Sequence, residues 1–169
     1  SLHHSEGAVQ KEARDILLGA LDLGNREVEE IMLHRSQIEM ISANSSPSEI
    51  FEKCLNSPHT RLPIFEDTPE NVIGVLHAKD VLRSFKRFGL GQSSSKFNVN
   101  DIKILDVAMK PYFVPETTTL DQQMKQFLKR KSHFALVVDE YGALRGLITL
   151  EDILEAVSYT HLTLPTSRS

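Results

Sequence analysis

Residues 146–154 read GLITLEDIL, a short apolar run that passes without a loop into a helical pattern. The apolar residues before Thr149 predict a strand, and the residues from Leu150 onward predict a helix. Thr149 then caps the helix, and Asp152 lies one turn further on, near the positive end of the helix dipole. We expect this strand, which leads directly into a capped helix, to be a basic unit of the fold.

The same unit occurs earlier in the chain. Residues 74–82 read GVLHAKDVL, and Gly74 and Asp80 each precede their counterparts in 146–154 by 72 positions. At this offset the preceding hairpins also match. Their turns have equal lengths, and their apolar residues fall at corresponding alternate positions. We therefore predict two tandem β-α-β-β-α repeats.

The predicted fold is of the α+β class, with the two repeats packed through their sheets and a ligand groove along the seam. The predicted parts are an N-terminal connecting helix (1–26), repeat 1 (27–88), a linker (89–100), repeat 2 (101–157) and a non-native tail (158–169). A native disordered tail is the alternative for the last part. The predicted helices are 8–23, 27–32, 46–55, 79–88, 105–109, 119–130 and 150–157, and the predicted strands are 38–41, 62–65, 72–76, 113–114, 134–138 and 145–149.

The composition limits the class of protein. The chain has 169 residues, a net charge of -4 and 40% hydrophobic residues, which is typical of a globular protein. No basic stripe covers a whole domain, which argues against nucleic-acid binding. Cys54 lies on the apolar side of a predicted helix, where a small core residue is expected. A basic run at 125–131 is explained by a helix end, with docking to an anionic membrane as the alternative.

The Thr149–Asp152 pair has two interpretations. In the first, the pair only caps the helix and stabilises it. In the second, the hydroxyl and the free backbone N–H groups bind a phosphate, while the carboxylate accepts hydrogen bonds from a ribose diol. Residues 118–121 fit the same Thr-x-x-Asp string and predict a plain cap. The position of 149–152 after a buried strand, in a repeated unit, favours the second interpretation.

These residues resemble a tandem CBS-domain pair: both repeats have the strand–turn–strand–helix order of that family, and the second carries its adenosine-binding Thr-x-x-Asp. The chain is most similar to the CorC/HlyC group, which is hemolysin-like, associated with magnesium and cobalt transport, and related to the cyclin M transporters. The likeness runs from about Gly7 to Val157. It is carried by the stretches EARD (12–15), LDLG (21–24), VEEIM (28–32), SPHTRLP (57–63) and VDEYG (138–142).

The resemblance implies a set of nucleotide contacts. Thr149 is expected to contact a phosphate and Asp152 the ribose hydroxyls. Their equivalents in repeat 1 are His77 and Asp80, so that half-site keeps the carboxylate but lacks the hydroxyl. Further contacts are expected from Arg61 to a phosphate, more weakly from Arg35, and from the backbone around Val114, Pro115, Phe134 and Ala135 to the adenine.

The resemblance also implies a function. We expect a regulatory module at the cytoplasmic face of the bacterial inner membrane, which binds ATP or AMP, with or without Mg²⁺, and controls the integral membrane domain of its parent chain. We expect a homodimer with an interface that includes Leu82, Phe85, Ile153 and Leu154. Neither an enzyme, a zinc site nor a nucleic-acid partner is expected. A ligand-free dimerisation or scaffolding module is the alternative.

Overall fold

The computed structural model describes residues 7–12, 22–89 and 103–166, of which 7–12 and 22–24 are helical. The longer helices are α1 (Pro47–Asn56), α2 (Ala78–Gly89), α3 (Ile104–Val107), α4 (Leu120–Arg130) and α5 (Leu150–Thr166), and the 3-10 helices are η1 (Val28–Glu30) and η2 (Arg35–Gln37). The strands are β1 (Leu33–His34), β2 (Ile41–Ser42), β3 (Arg61–Phe65), β4 (Val72–His77), β5 (Phe113–Pro115), β6 (Phe134–Val138) and β7 (Leu144–Thr149). The expected linker at 90–100 and the apolar stripe of the N-terminal helix at 13–21 lie outside the described residues.

The chain forms two compact units. The first unit consists of residues 37–111, and the second consists of the residues up to Ser36 together with those from Tyr112 onward. These units differ from the expected repeats, because η1 and β1 belong to the second unit and α3 belongs to the first. The opening segment of each repeat therefore packs with the sheet of the other repeat.

The first unit is a three-stranded sheet with two helices on one face. The strand order is β2-β3-β4, with β2 parallel to β3 and β3 antiparallel to β4. Helix α1 begins with the predicted capping box, in which Glu49 N–H donates to Ser46 Oγ and Ser46 N–H donates to Glu49 Oε2. The buried core consists of Ile41, Ile50, Cys54, Leu62, Ile64, Leu76, Ala78, Val81 and Phe85.

The second unit repeats this arrangement and adds one strand. Its strand order is β1-β7-β6-β5, with β5 parallel to β6 and both other pairings antiparallel. Strand β1 was not predicted, because only two residues pair with a strand more than a hundred positions away. The buried core consists of Leu23, Val28, Val114, Leu120, Phe127, Ala135, Val137, Ile148 and Ile153.

The two hairpins have turns of different length, which corrects the expectation of equal turns. Strand β4 matches β7 at the predicted offset of 72, but β3 matches β6 at an offset of 73 when the strands are compared by their pairing. The second turn is one residue shorter. Asp139 tightens it by accepting hydrogen bonds from the backbone N–H groups of Tyr141 and Ala143, and Gly142 adopts a positive φ of 82°.

Two further expectations need correction. Helix α5 continues to Thr166 instead of ending at Val157, since no glycine or proline interrupts it before Pro165. Of the expected dimer contacts, Phe85 and Ile153 are buried in the cores of their own units and are therefore not available for an interface. Helical periodicity had placed them on an apolar face, but that face is covered by the sheet beneath it.

Gly146 lies where the backbone of β1 approaches β7 most closely. A Cβ atom built on Gly146 would come within 2.5 Å of the Leu33 carbonyl oxygen and 2.7 Å of the Met32 sulfur. Its counterpart Gly74 is less crowded, because a Cβ there would lie 3.2 Å from the Ala108 methyl group. Glycine therefore permits a very close backbone approach in the second unit and a looser one in the first, where the Met109 carbonyl oxygen would lie 3.4 Å from the Cβ atom.

Gly146→Ala is expected to lower the free energy of unfolding by about 2 kcal/mol or more, because the backbone oxygen cannot move without breaking the β1–β7 pairing. Gly74→Ala is the matched control and should cost less than about 1 kcal/mol, since its closest contact is 3.2 Å instead of 2.5 Å and alanine restricts the unfolded chain. Urea denaturation of both variants measures the difference. Equal losses at the two positions would contradict the assigned role of Gly146.

Candidate functional site

In both units a strand joins a helix without an intervening loop. Strand β4 ends at His77 and α2 begins at Ala78, while β7 ends at Thr149 and α5 begins at Leu150. The same hydrogen bond holds both junctions. Ala78 N–H donates to the Thr60 carbonyl at 2.8 Å, and Leu150 N–H donates to the His133 carbonyl at 2.8 Å. The sheet therefore determines where the first turn of each helix lies.

Thr149 and Asp152 form a reciprocal cap at the start of α5. Asp152 N–H donates to Thr149 Oγ1 at 3.1 Å, and Thr149 N–H donates to Asp152 Oδ2 at 2.9 Å. Both side chains are partly buried. The capping interpretation of this pair thus describes a real contact, which holds each side chain in one position.

The cap leaves part of each side chain available for a ligand. Thr149 Oγ1 accepts a hydrogen bond in the cap, so its O–H remains a donor, as a phosphate oxygen requires. The Asp152 carboxylate uses Oδ2 in the cap, and a carboxylate has further acceptor positions for a pair of hydroxyl groups. The cap and a nucleotide contact are therefore compatible, and the cap orients both groups in advance.

The structure places one predicted adenine contact next to this pair and two others away from it. Phe134 is the direct cross-strand partner of Thr149. Val114 and Pro115 instead pair with Val137 and Val138, three and four residues further along β6, which is about 10–13 Å away. The parallel register of β5 and β6 decides which residues lie at the level of Thr149.

The same register identifies a neighbour of the site that the sequence analysis missed. Leu136 N–H donates to the Tyr112 carbonyl at 2.7 Å, so the backbone just before β5 lies at the level of the start of β6. Ala135 is fully buried between its neighbours, with its side chain in the hydrophobic core. No sequence signal marks Tyr112, because its position depends on a long-range strand pairing.

In the first unit His77 takes the capping position. Lys79 N–H donates to His77 Nδ1 at 3.2 Å. Repeat 1 lacks the hydroxyl, as predicted, but the ring nitrogen of His77 accepts a hydrogen bond from the first turn of α2 instead. Because Nδ1 is an acceptor, the ring proton is assigned to Nε2, which makes His77 a hydrogen-bond donor at the helix N-terminus.

Arg61 and Asp80 complete the surroundings of His77. Arg61 is the direct cross-strand partner of His77. The Asp80 carboxylate lies 3.9 Å from Arg83 Nη1, in an ion pair between two largely exposed side chains. Burial lowers the pKa of His77 below its usual value, the positive charge of Arg61 lowers it further, and Asp80 opposes the shift. The first unit therefore presents a neutral imidazole beside a guanidinium.

The other residues singled out in the sequence, namely the 118–121 string, Arg35 and Cys54, do not form a capped strand–helix junction. At the start of α4 the Thr119 hydroxyl donates to Asp121 Oδ1 at 2.5 Å and forms no cap, so the string at 118–121 does not reproduce the geometry of 149–152. Arg35 lies in η2 of the second unit. Burial raises the pKa of the Cys54 thiol to about 11, which suits a core residue.

The described residues contain neither a metal-binding cluster nor a membrane-spanning helix. Within 7–12, 22–89 and 103–166, no three His, Cys, Asp or Glu side chains are grouped so that they would hold a metal ion. The helices in those same ranges include none with the length and apolar character needed to cross a membrane.

The lowered pKa of His77 predicts a pH dependence of stability. The unfolded chain binds the His77 proton more readily than the folded chain does, so its contribution to stability is present above about pH 6.5 and is lost as the pH falls below that value. His77→Asn keeps a capping acceptor and removes the titration. When the pH is lowered from 7.5 to 5.5, the urea midpoint of the wild type should fall more than that of His77→Asn. A difference that is independent of pH would contradict the assigned environment of His77.

Comparisons with known proteins agree with the repeated architecture. Residues 28–87 and 101–159 match the CBS domain family. The chain is 32% identical over 149 residues to the magnesium and cobalt efflux protein CorC of Pasteurella multocida, which covers 88% of this chain and 46% of that protein. The chain thus spans less than half the length of this relative.

Two solved structures are similar over most of their length. The CBS domain of a bacterial CNNM/CorC family Mg²⁺ transporter in complex with ATP is 26% identical, with a TM-score of 0.73 and coverage of 87% of this chain and 97% of that one. A CBS-domain pair from Klebsiella pneumoniae with bound AMP is 33% identical, with a TM-score of 0.66 and coverage of 78% and 98%. The chain belongs to the CBS domain family and contains a tandem pair of CBS domains.

Proposed function

We propose that this CBS-domain pair binds an adenine nucleotide at the start of α5 and regulates a divalent-cation transporter. The reciprocal cap of Thr149 and Asp152 carries the proposal, because it presents a hydroxyl donor and a carboxylate acceptor side by side at a helix N-terminus. The complexes of similar CBS domains with ATP and with AMP support adenine nucleotides as the ligand class.

Each part of the nucleotide has a chemical counterpart in the second unit. The ribose diol donates to the Asp152 carboxylate, and charge-assisted bonds of this kind are stronger than neutral ones. The Thr149 hydroxyl donates to a phosphate, which also gains from the positive end of the α5 dipole. Phe134, on the strand beside Thr149, and the backbone near Tyr112 flank the adenine.

The first unit offers a different set of groups. Arg61 and the Nε2–H of His77 are hydrogen-bond donors, which suits phosphate oxygens, and Asp80 is engaged with Arg83. We propose that this half-site contributes to phosphate binding but does not hold a ribose. Mg²⁺, where present, accompanies the phosphates of ATP and needs no metal-binding cluster of its own.

The regulatory step is a linkage between ligand binding and conformation. A nucleotide shifts the module toward whichever arrangement binds it more tightly, and the attached membrane domain responds to that arrangement. The magnesium and cobalt efflux activity named for the relative supports divalent cations as the transported ions. We propose that the module lies at the cytoplasmic face of the inner membrane, where ATP and AMP are found, and that its role is regulatory instead of catalytic.

We propose that the module works as a homodimer, whose interface includes Leu154 and not the buried Phe85 and Ile153. Leu154 is 49% exposed on α5, which is a large exposure for a leucine. A ligand-free scaffolding module is the second candidate. It is favoured by the fact that helix capping is by itself a sufficient role for Thr149 and Asp152. A thermal midpoint that rises with AMP or ATP distinguishes the two, because only a bound ligand stabilises the folded state.

Asp152→Ala is expected to weaken AMP and ATP binding by about 10- to 150-fold, since the lost ribose bonds are worth roughly 1.5–3 kcal/mol. Asp80→Ala should cost well under half of that free energy. Asp121→Ala is the matched control, because Asp121 also lies in the first turn of a helix of the second unit but is hydrogen-bonded to Thr119. Calorimetric titration of the three variants measures the affinities.

The outcome of this titration separates several accounts. Equal losses in Asp152→Ala and Asp80→Ala would mean that both repeats hold a ribose. An unchanged affinity in Asp152→Ala, or an equal loss in Asp121→Ala, would contradict the proposed site. Since Asp152→Ala also removes a helix cap, the titration is run at a temperature where circular dichroism shows the variant folded.

A further inference from the structure

The C-terminal half of α4 carries a face that neither the fold nor the proposed nucleotide site uses. Lys125, Leu128 and Lys129 lie within about 100° of one another around the helix, and Lys131 follows at its end. All four are exposed, and the side chains on the opposite side of the helix are buried in the core, namely Leu120, Gln123 and Phe127. We call these four exposed residues the basic face.

The charge of the basic face exceeds what the helix end requires. Cations in the last turn are favoured by the helix dipole, which accounts for Lys129 and Arg130. Lys125 lies a turn earlier, however, and Lys131 lies beyond the helix in a left-handed conformation with φ of 54°. Arg130 is engaged separately, since its guanidinium lies 4.0 Å from the centre of the Tyr112 ring.

Lys125 has a nearby carboxylate in Asp121, whose pKa is lowered by the hydrogen bond from Thr119 and also by the positive charge of Lys125, but the two groups form no close ion pair. Among the described residues, no carboxylate oxygen lies within 4 Å of the ammonium groups of Lys125, Lys129 or Lys131. Asp121, one turn before Lys125, is the acidic residue of α4, and its carboxylate is bonded to the Thr119 hydroxyl. The face therefore has a local positive charge, although the chain carries a net charge of -4.

Leu128 distinguishes this face from an ordinary solvated helix. Its side chain is 62% exposed and lies between lysines. An exposed leucine among cations suits a bilayer surface, where the apolar side chain enters between headgroups while the lysines contact lipid phosphates. A nucleic acid would engage the lysines but not the leucine, and the acidity of the whole chain opposes it.

We propose that the basic face docks on an anionic phospholipid bilayer. The inference rests on the proposed function, since attachment to a membrane domain keeps the module close to a bilayer. Three lysines contact lipid phosphates, and Leu128 inserts between the headgroups. Weak docking of this kind is useful in a tethered module, because the tether supplies a high local concentration of lipid.

The test is co-sedimentation of the full chain with two kinds of vesicle, phosphatidylcholine alone and an equal mixture of phosphatidylcholine and phosphatidylglycerol. The wild-type chain should sediment with the anionic vesicles only, and less so at high salt. Replacing Lys125 and Lys129 together by glutamine should weaken binding about 25-fold, at about fivefold per lysine. Lys86→Gln combined with Arg87→Gln removes the same charge from the exposed end of α2 and should change binding little.

Leu128→Ser and a soluble competitor separate a bilayer from other anions. Leu128→Ser should weaken vesicle binding while leaving the charge unchanged. Equal losses in the α2 and α4 double variants, no effect of Leu128→Ser, or full competition by inorganic phosphate would each overturn the proposal. An acidic peptide that binds the face more tightly than the anionic vesicles would also overturn it, in favour of a protein partner.

Calorimetric titration of the same variants with AMP keeps this proposal apart from the nucleotide site. A chain that binds AMP but sediments with neither vesicle overturns the docking surface alone. A chain that sediments with anionic vesicles in the predicted pattern supports the docking surface even if it binds no AMP, and that second result counts only against the proposed function.

Discussion

The junction at which a strand becomes a helix without a loop is the constraint on which this molecule depends. A hydrogen bond from the first helical residue to the start of the neighbouring strand holds each junction, from Leu150 to His133 and from Ala78 to Thr60. Because no loop intervenes, the last strand residue is also the residue that caps the helix. The position of that side chain is therefore determined by the sheet. Because the core beneath the sheet is closely packed, the side chain has little freedom to move.

The two junctions keep the same backbone but differ in chemistry. Thr149 shares a reciprocal cap with Asp152, whereas His77 caps with a ring nitrogen and leaves Asp80 to pair with Arg83. A tandem repeat can diverge in this way because the backbone hydrogen bonds that define the junction do not depend on the side chain at the cap. We infer that the second unit is suited to a ribose together with its phosphate, that the first unit is suited to phosphate alone, and that the module is functionally asymmetric.

Local patterns in the sequence predicted much of the fold. The Ser46–Glu49 capping box, β6 and the junction at Thr149 were all predicted from residues close together in the chain. The errors arose where distant segments meet. Strand β1 has only two residues, and Gly146 accommodates their approach from more than a hundred positions away. The positions of Val114 and Pro115 relative to Thr149 likewise depend on the register between β5 and β6, which periodicity does not contain.

The most direct test of the central claim is an NMR titration of the amide groups of the ¹⁵N-labelled chain with AMP. If the nucleotide binds at the capped junction of the second unit, the largest shift changes should occur at the amides of Thr149 and Asp152, whose hydrogen bonds form the cap. The Thr119 and Asp121 amides at the start of α4 should change little. Changes that are largest elsewhere, or a spectrum that AMP leaves unaltered, would contradict the account.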